Sequence, residues 1–570
     1  MNTKTLMIAL AAFAVGGVAH AITSDEIAAA LDVDPSVGTF SCSGFSDWLV
    51  DTGTSHDGVS SLRSGQISPV SDWRNSMLLM TLDVKTPSRL KFWLKTFCYN
   101  NTNDTRLDIS DGQAVNTYTG ERDWTLYSVV LIPGNHLLRW NFQKRSYNTS
   151  RSDYYVRIDG LTIEPILDKS TQVEVTDVKC KQRYPWNGMV DIDYTVKCEK
   201  KDAEVWVYPV GYDKDSNTTM APRALSGDGV DAPVSNGTFR MTWKVTDDYP
   251  NFHSTAFTVK MAALVGAAPY MVVDLAGGVD ALSYPVSYLS RVPAGGWGDE
   301  YKTTKMVFRM IPSGSFMMGS PSDEWTRGSY EDLHGVVLTR PFYIGVFECT
   351  QKQYELVMGS NPVTSSSYKG DLRPVANVSY NTLRGSVNGA GWPTHNQVDA
   401  NSFMGRLRSK VNMFFDLPTE AEWEYACRAG TSTSLNSGKN YDWDVNCNEV
   451  ARWARNAYNS GTDYKYDGKG GYTYSTKVGC YLENAWGLFD MHGNVNEWCR
   501  DFWNYGLGYA GTVDPKGASR GYNYGDERVY RGGHYDAHDN LRSADRDGYA
   551  RCGNAYQYVG FRVMCSPVAE

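Results

Sequence analysis

The sequence predicts a multidomain chain, with two N-terminal all-β sandwiches followed by an α+β domain. Three observations point there. At 570 residues the chain is longer than one hydrophobic core organises. Its first half is dominated by short runs in which apolar and polar residues alternate, the period of half-buried strands. Beyond residue 300 the texture changes to brief helical and strand patterns, separated by long loops rich in Gly, Asn and Tyr. Hydrophobic residues make up 42% and charged residues 21%, which excludes extended disorder. A formal net charge of −9 excludes a broad basic face for nucleic acid.

Residues 1–21 read as a signal peptide. Lys4 supplies a basic start, and Leu6 to Val18 form an apolar stretch too short to span a bilayer. Ala19-His20-Ala21 is a small-x-small cleavage site. No later segment has the apolar length of a transmembrane helix, so the mature chain is expected to be exported: secreted, periplasmic or on the cell surface. Export permits disulfides among the eleven cysteines, and the absence of any CxxC pair argues against zinc. Cys42 with Cys98 and Cys180 with Cys198 are the candidate within-domain pairs. The odd count leaves at least one thiol outside them.

Residues 22–168 are expected to form a jelly-roll-like sandwich. Leu90, Phe92 and Leu94 alternate with Lys91, Trp93 and Lys95. Val129 to Ile132, Pro133-Gly134-Asn135, then Leu138, Trp140 and Phe142 read as a hairpin. Val156, Ile158, Leu161 and Ile163 supply a closing strand around Asp159-Gly160. Such modules often bind glycans, and Trp48, Trp73 and Trp124 either stack on sugar rings or fill the core. Residues 171–290 are expected to form a smaller immunoglobulin- or fibronectin-like sandwich. There Val190, Ile192, Tyr194, Val196 and Cys198 share one phase, as do Phe239, Met241, Trp243 and Val245. Residues 285–304, containing Pro293-Ala-Gly-Gly-Trp297, read as a linker.

The last domain spans 300–568. Thr419-Glu-Ala-Glu422 is a capping box that starts a helix with Trp423, Ala426 and Cys427 on one face, and Gly430 ends it. Around this helix lies an ordered set of blocks. They run Ile311-Pro-Ser-Gly-Ser-Phe-Met-Met-Gly-Ser320, Glu348-Cys-Thr350 with Tyr354, Arg373-Pro-Val375 and Leu417-Pro-Thr-Glu-Ala-Glu-Trp-Glu-Tyr-Ala426. Asn484-Ala-Trp-Gly-Leu-Phe-Asp-Met-His-Gly-Asn-Val495, Arg531-Gly-Gly533 and Gly560-Phe-Arg562 complete the set. Together they resemble the formylglycine-generating enzyme (sulfatase-modifying factor) family over about 300–565. The resemblance implies a variant of the C-type lectin fold.

It also implies an oxidoreductase scaffold. Enzyme members oxidise a cysteine of a client sulfatase with O2, using two Cu(I)-binding cysteines just after the Arg-Gly-Gly block. Here Ala537 stands at the first of those positions, the second has no counterpart, and Cys552 lies too far along to substitute. Soft thiolates are what Cu(I) requires, so formylglycine formation is not expected. His534 and His538, with Asp536 or Asp545, are the candidate ligands of a replacement iron or copper site; the alternative is that they are exposed loop residues. The resemblance places structural Ca2+ at Asp490, Gly493, Val495 and Glu497, through two side chains and two backbone carbonyls, with Asn496 replacing the family's Trp. A second calcium position falls near 456–460.

His, Tyr, Asp and Asn residues are scattered from His534 to Tyr558 between the Arg-Gly-Gly and Gly-Phe-Arg blocks. The arrangement is similar to the variable region of retroelement-diversified proteins, which share this lectin-like fold. The candidate ligand surface comprises Trp443, Trp503, Tyr535, Asp536, His538, Tyr549, Tyr556 and Tyr558, facing a protein or glycan partner. The expected function is that of a secreted, calcium-stabilised, non-catalytic ligand-binding protein. The alternative is a metal-dependent oxidoreductase of the same superfamily with altered ligands.

Overall fold

The computed structural model describes residues 22–566 apart from 68–72, 99–104, 111–114, 145–153, 167–172, 458–473, 507–511 and a few positions at 199, 201–202, 216–217, 221, 231, 251, 253, 266–267 and 443–444. The expected signal peptide, Trp443 and most of the second calcium position lie outside the described residues.

Residues 22–166 build two five-stranded antiparallel sheets. One is ordered Thr39–Gly44, Arg74–Val84, Gly134–Lys144, Thr105–Ser110, Val115–Tyr118; the other Leu49–Asp51, Ser61–Arg63, Tyr155–Pro165, Ser88–Phe97, Glu121–Leu131. Leu90, Phe92 and Leu94 share one core with Leu78, Trp140 and Phe142, as alternation requires. Trp48 belongs to that core, whereas Trp73 is 37% exposed and Trp124 stands edge-on to His56 at 6.0 Å. The expected hairpin across Pro133 does not form. Glu121–Leu131 pairs with Ser88–Phe97, while Gly134–Lys144 pairs with Arg74–Val84 in the other sheet. Alternation reports which face is buried but not which strand is the neighbour, and Pro133 has no N–H with which to continue a ladder.

In the next module Val173–Gln182, Met189–Cys198, Gly237–Lys244 and Leu225–Gly227 form one sheet. Thr218–Met220, Val205–Asp213 and Phe257–Val265 form a second. Val190, Ile192, Tyr194, Val196, Met241 and Trp243 fill the core between them. Cys180 sits opposite Ile192 and Cys198 opposite Val173. The two thiols therefore stand roughly 20 Å apart along the ladder, beyond the reach of a disulfide. All eleven cysteines are unbridged, Cys42 and Cys98 included.

The C-terminal sheet starts earlier than the sequence indicates. Tyr270–Asp274 and Val286–Leu289, expected in the second sandwich and the linker, pair into a six-stranded sheet with Lys305–Ile311, Phe342–Gly345, Met564–Ser566 and Phe414–Asp416. A four-stranded sheet is ordered Arg546–Arg551, Glu527–Arg531, Asn496–Phe502, Val559–Gly560. Helix Glu420–Arg428 begins with both halves of the expected capping box: Glu422 N donates to Thr419 Oγ1 at 3.2 Å and Thr419 N to Glu422 Oε2 at 2.7 Å. It ends one residue before Gly430, at Ala429 in a left-handed conformation. Among the described residues no helix is long and apolar enough to cross a membrane.

Candidate functional site

The charged residues of the motif blocks pair with one another below the surface. Arg531 donates to Glu424 and, at 2.8 Å, to Ala544 O; Glu424 also receives Arg428 Nε at 2.8 Å and Gly319 N at 2.9 Å. Arg546 grips both oxygens of Glu420 at 2.7 Å. Arg542 reaches Glu331 at 2.8 and 2.9 Å and Glu324 at 2.6 Å. All these groups except Glu324 are among the most deeply buried in the chain. Buried charge persists only when paired, so these acids and bases form the frame of the domain rather than reacting groups.

That frame supports a cavity of about 210 Å³ immediately after the Arg-Gly-Gly block. Gly532 and Gly533 line it at φ +96° and +76°. A Cβ on Gly533 would fall 2.2 Å from Asn540 O, so only glycine fits. Tyr330, Asn496, Asp539, Asn540 and Asp547 bring phenol, amide and carboxylate groups to the walls. Among the described residues the lining contains neither Cys nor His. Ala537 is packed instead in an apolar cluster with Leu435, Tyr441, Cys447, Trp453 and Leu541, and its carbonyl accepts from Ala454 N at 3.1 Å.

The expected ligand surface divides. Asp536 and His538 are exposed, and Tyr556 and Tyr558 are half-buried. Trp503 and Tyr535 are only 1% and 3% exposed, a correction to the sequence reading. Trp503 packs edge-on to Tyr330 at 5.2 Å beneath the Arg546 guanidinium, and Tyr535 packs against Tyr368 at 6.2 Å. Large aromatic area is better hidden than displayed when a groove is at hand. Tyr549 lies on strand Arg546–Arg551, but its side chain is outside the described residues.

His534 stacks on Tyr558 at 4.6 Å and accepts from Asp536 N at 3.2 Å. Burial, then the neighbouring His538, pulls its pKa down to about 4, so the ring is neutral. The expected triad with Asp536 or Asp545 does not assemble. Among the described residues one set of three His, Cys, Asp or Glu brings its ligand atoms together, namely Asp32, Asp57 and Asp159 of the N-terminal module. Asp545 instead receives the backbone N–H of Arg542 at 2.7 Å.

The expected calcium loop is tightly wound, with positive φ at Asp490, Gly493 and Asn494. Asp490 Oδ2 accepts from Gly479 N at 2.6 Å, while Oδ1 is buried with no partner. Both oxygens of Glu497 face Arg562, at 2.7 and 3.1 Å, and one also receives Trp423 Nε1 at 2.7 Å. Glu348, which the sequence reading did not assign, joins them by accepting from Val495 N at 3.0 Å and Asn494 Nδ2 at 2.6 Å. Its only prior signal was membership of the Glu348-Cys-Thr350 block. Burial, then Asp490 and Glu497, holds the Glu348 carboxyl well above the usual range, and burial lifts Asp490 to about 6. The three carboxyls do not converge on a single point, and Glu497, an expected ligand, is spent on Arg562 and Trp423; what the loop offers a hard cation is the orphaned Asp490 oxygen beside Glu348.

Residues 298–567 match the family profile described as a sulfatase-modifying factor enzyme 1-like domain. The chain is 30% identical over 262 residues to the formylglycine-generating enzyme of Streptomyces coelicolor, spanning 40% of this chain and 78% of that one. The chain belongs to the formylglycine-generating enzyme family. Its identity to the Mus musculus formylglycine-generating enzyme is 26%, over 41% of this chain and 67% of the other. A solved structure, Treponema denticola variable protein 1, aligns over 46% of this chain and 96% of its own at 24% identity and a TM-score of 0.35. Within the matched region the charged residues of the motif blocks pair with one another, and Ala537, four residues beyond Gly533, packs in an apolar setting.

Proposed function

We propose that the chain is an exported binding protein in which two β-sandwich modules carry a calcium-stabilised, non-catalytic formylglycine-generating-enzyme-like domain of lectin-like fold. The observation that carries this reading is the cavity after Arg531-Gly-Gly533, lined among the described residues by carboxylates, amides, two phenols and two guanidiniums with no thiol or imidazole, while Ala537 packs among apolar side chains. Such a cavity suits recognition of a polar ligand through hydrogen bonds. The ligand is a protein or glycan surface that meets Asp539, Asn540 and Asp547 and the exposed Asp536 and His538. Residues 534–558 form its adaptable rim. Retroelement diversification of that rim would leave a near-copy of the segment and a reverse transcriptase gene at the locus; finding neither removes that part of the proposal. Calcium would be held by Asp490 with Glu348 beside it, and would neutralise the surplus buried carboxylate charge.

The test is to probe glycan and peptide arrays with the full chain and with an Asn540→Ala/Asp547→Ala variant. Ligands bound by the parent and lost by the variant support the reading. Ligands that ignore the variant, or conversion of a cysteine peptide to formylglycine, overturn it. The second reading, a metal-dependent oxidoreductase, draws on the neutral imidazole of His534 beside His538.

A further inference from the structure

We propose that the junction between the second β module and the C-terminal domain is a binding site for a small oxyanion, centred on Arg309. Strand Lys305–Ile311 carries Arg309 against Tyr208 of strand Val205–Asp213 and Tyr270 of strand Tyr270–Asp274. The guanidinium carbon lies 4.0 and 4.8 Å from the two ring centroids. Arg309 is 3% exposed. Its Nη1 donates to Pro269 O at 3.3 Å, whereas its Nε has no hydrogen-bond partner, and neither has the buried hydroxyl of Tyr208.

Both residues line a cavity of about 60 Å³, walled also by Trp297, Arg223 and Glu483. The volume admits a carboxylate or an inorganic oxyanion rather than a large ligand. The charges are unbalanced. Arg223 of the β module pairs with Glu483 of the C-terminal domain, which uses the acid, and Arg291 adds another guanidinium to the lining. Among the described residues no carboxylate forms an ion pair with Arg309. An unpaired guanidinium in a buried site is costly, and an anion is the group that offsets it. Ring faces stacked on the guanidinium leave its in-plane Nε–H unspent, and planar guanidinium donors match carboxylate or phosphate oxygens. Tyr208 O–H adds a donor from the other module, so occupancy would tie the two modules together.

The experiment is calorimetric titration of the full chain with acetate, phosphate and sulfate at matched ionic strength in chloride, beside Arg309→Met and Tyr208→Phe variants. One oxyanion should bind the parent at one per chain. Arg309→Met should abolish binding, and Tyr208→Phe should weaken it about tenfold, the effect of one charge-assisted hydrogen bond. Preference for acetate assigns a carboxylate ligand; preference for phosphate or sulfate assigns a tetrahedral one. The proposal falls if no oxyanion saturates beyond the chloride control. It also falls if either variant binds with unchanged affinity. Should Arg309→Met not fold, the volume-conserving Tyr208→Phe decides.

Discussion

Replacing Asp501 with Asn should relieve a pH-dependent strain in the C-terminal frame. Asp501 is 2% exposed on strand Asn496–Phe502, and its Oδ2 accepts from Glu420 N, at the first turn of helix Glu420–Arg428, at 2.8 Å. Burial, then the Glu420 charge, raises its carboxyl from 3.8 to about 7. A raised carboxylate pKa means that the folded chain binds the proton more tightly than the unfolded chain. Stability is therefore lost as pH rises from about 4 through 7, and the full cost stands above pH 7. At 1.36 kcal/mol per pKa unit that cost is about 4 kcal/mol at pH 8, and under 2 at pH 5. Asn accepts the same Glu420 N–H without the charge. The stability difference between Asp501→Asn and the parent should thus grow by about 3 kcal/mol in the variant's favour from pH 5 to pH 8. Denaturant unfolding of the full chain at both pH values, followed by tryptophan fluorescence, measures it. A difference that stays constant with pH, or one that shrinks, would refute the reasoning.

Three further outcomes are expected. Arg531→Met removes one of the two guanidiniums paired with the buried Glu424, leaving Arg428, and should cost on the order of 2–3 kcal/mol, read in the same unfolding assay. Thr419→Ala removes the acceptor for Glu422 N and should cost about 1 kcal/mol in the same assay. Chelation should lower the melting temperature of the parent at pH 7.5, and calcium should restore it, with about 2.7 kcal/mol recovered at a hundredfold excess over Kd. Asp490→Asn should abolish that response; a parent indifferent to chelator would count against the calcium loop.

Much of the frame was legible because local signals and tertiary demands agree. The alternation on Ser88–Phe97 and Met189–Cys198 matches their buried faces, and the Thr419–Glu422 capping box forms as written. The motif blocks identified the domain. Other features depend on partners distant in sequence. Nothing near Pro133 says that the flanking strands enter different sheets. Met271, Val272 and Val273 are all buried, so their run carries no phase to tell which domain owns it. Glu348 meets Asp490 and Glu497 only after some 140 residues of intervening chain have folded, a separation read from the numbering. Trp503 and Tyr535 looked like display residues by type, yet Arg546 and Tyr368 supply surfaces that bury them. Arg309 sits in a strand that is apolar apart from it and Lys305, where sequence alone cannot separate an edge position from a buried one.

The central claim, a binding domain that holds calcium and lacks the family's redox chemistry, is tested most directly by elemental analysis of the purified mature chain beside His534→Ala/His538→Ala. Stoichiometric calcium, unchanged in that variant, is the expected result. Stoichiometric copper or iron that disappears with the two histidines would contradict it and make the chain an oxidoreductase.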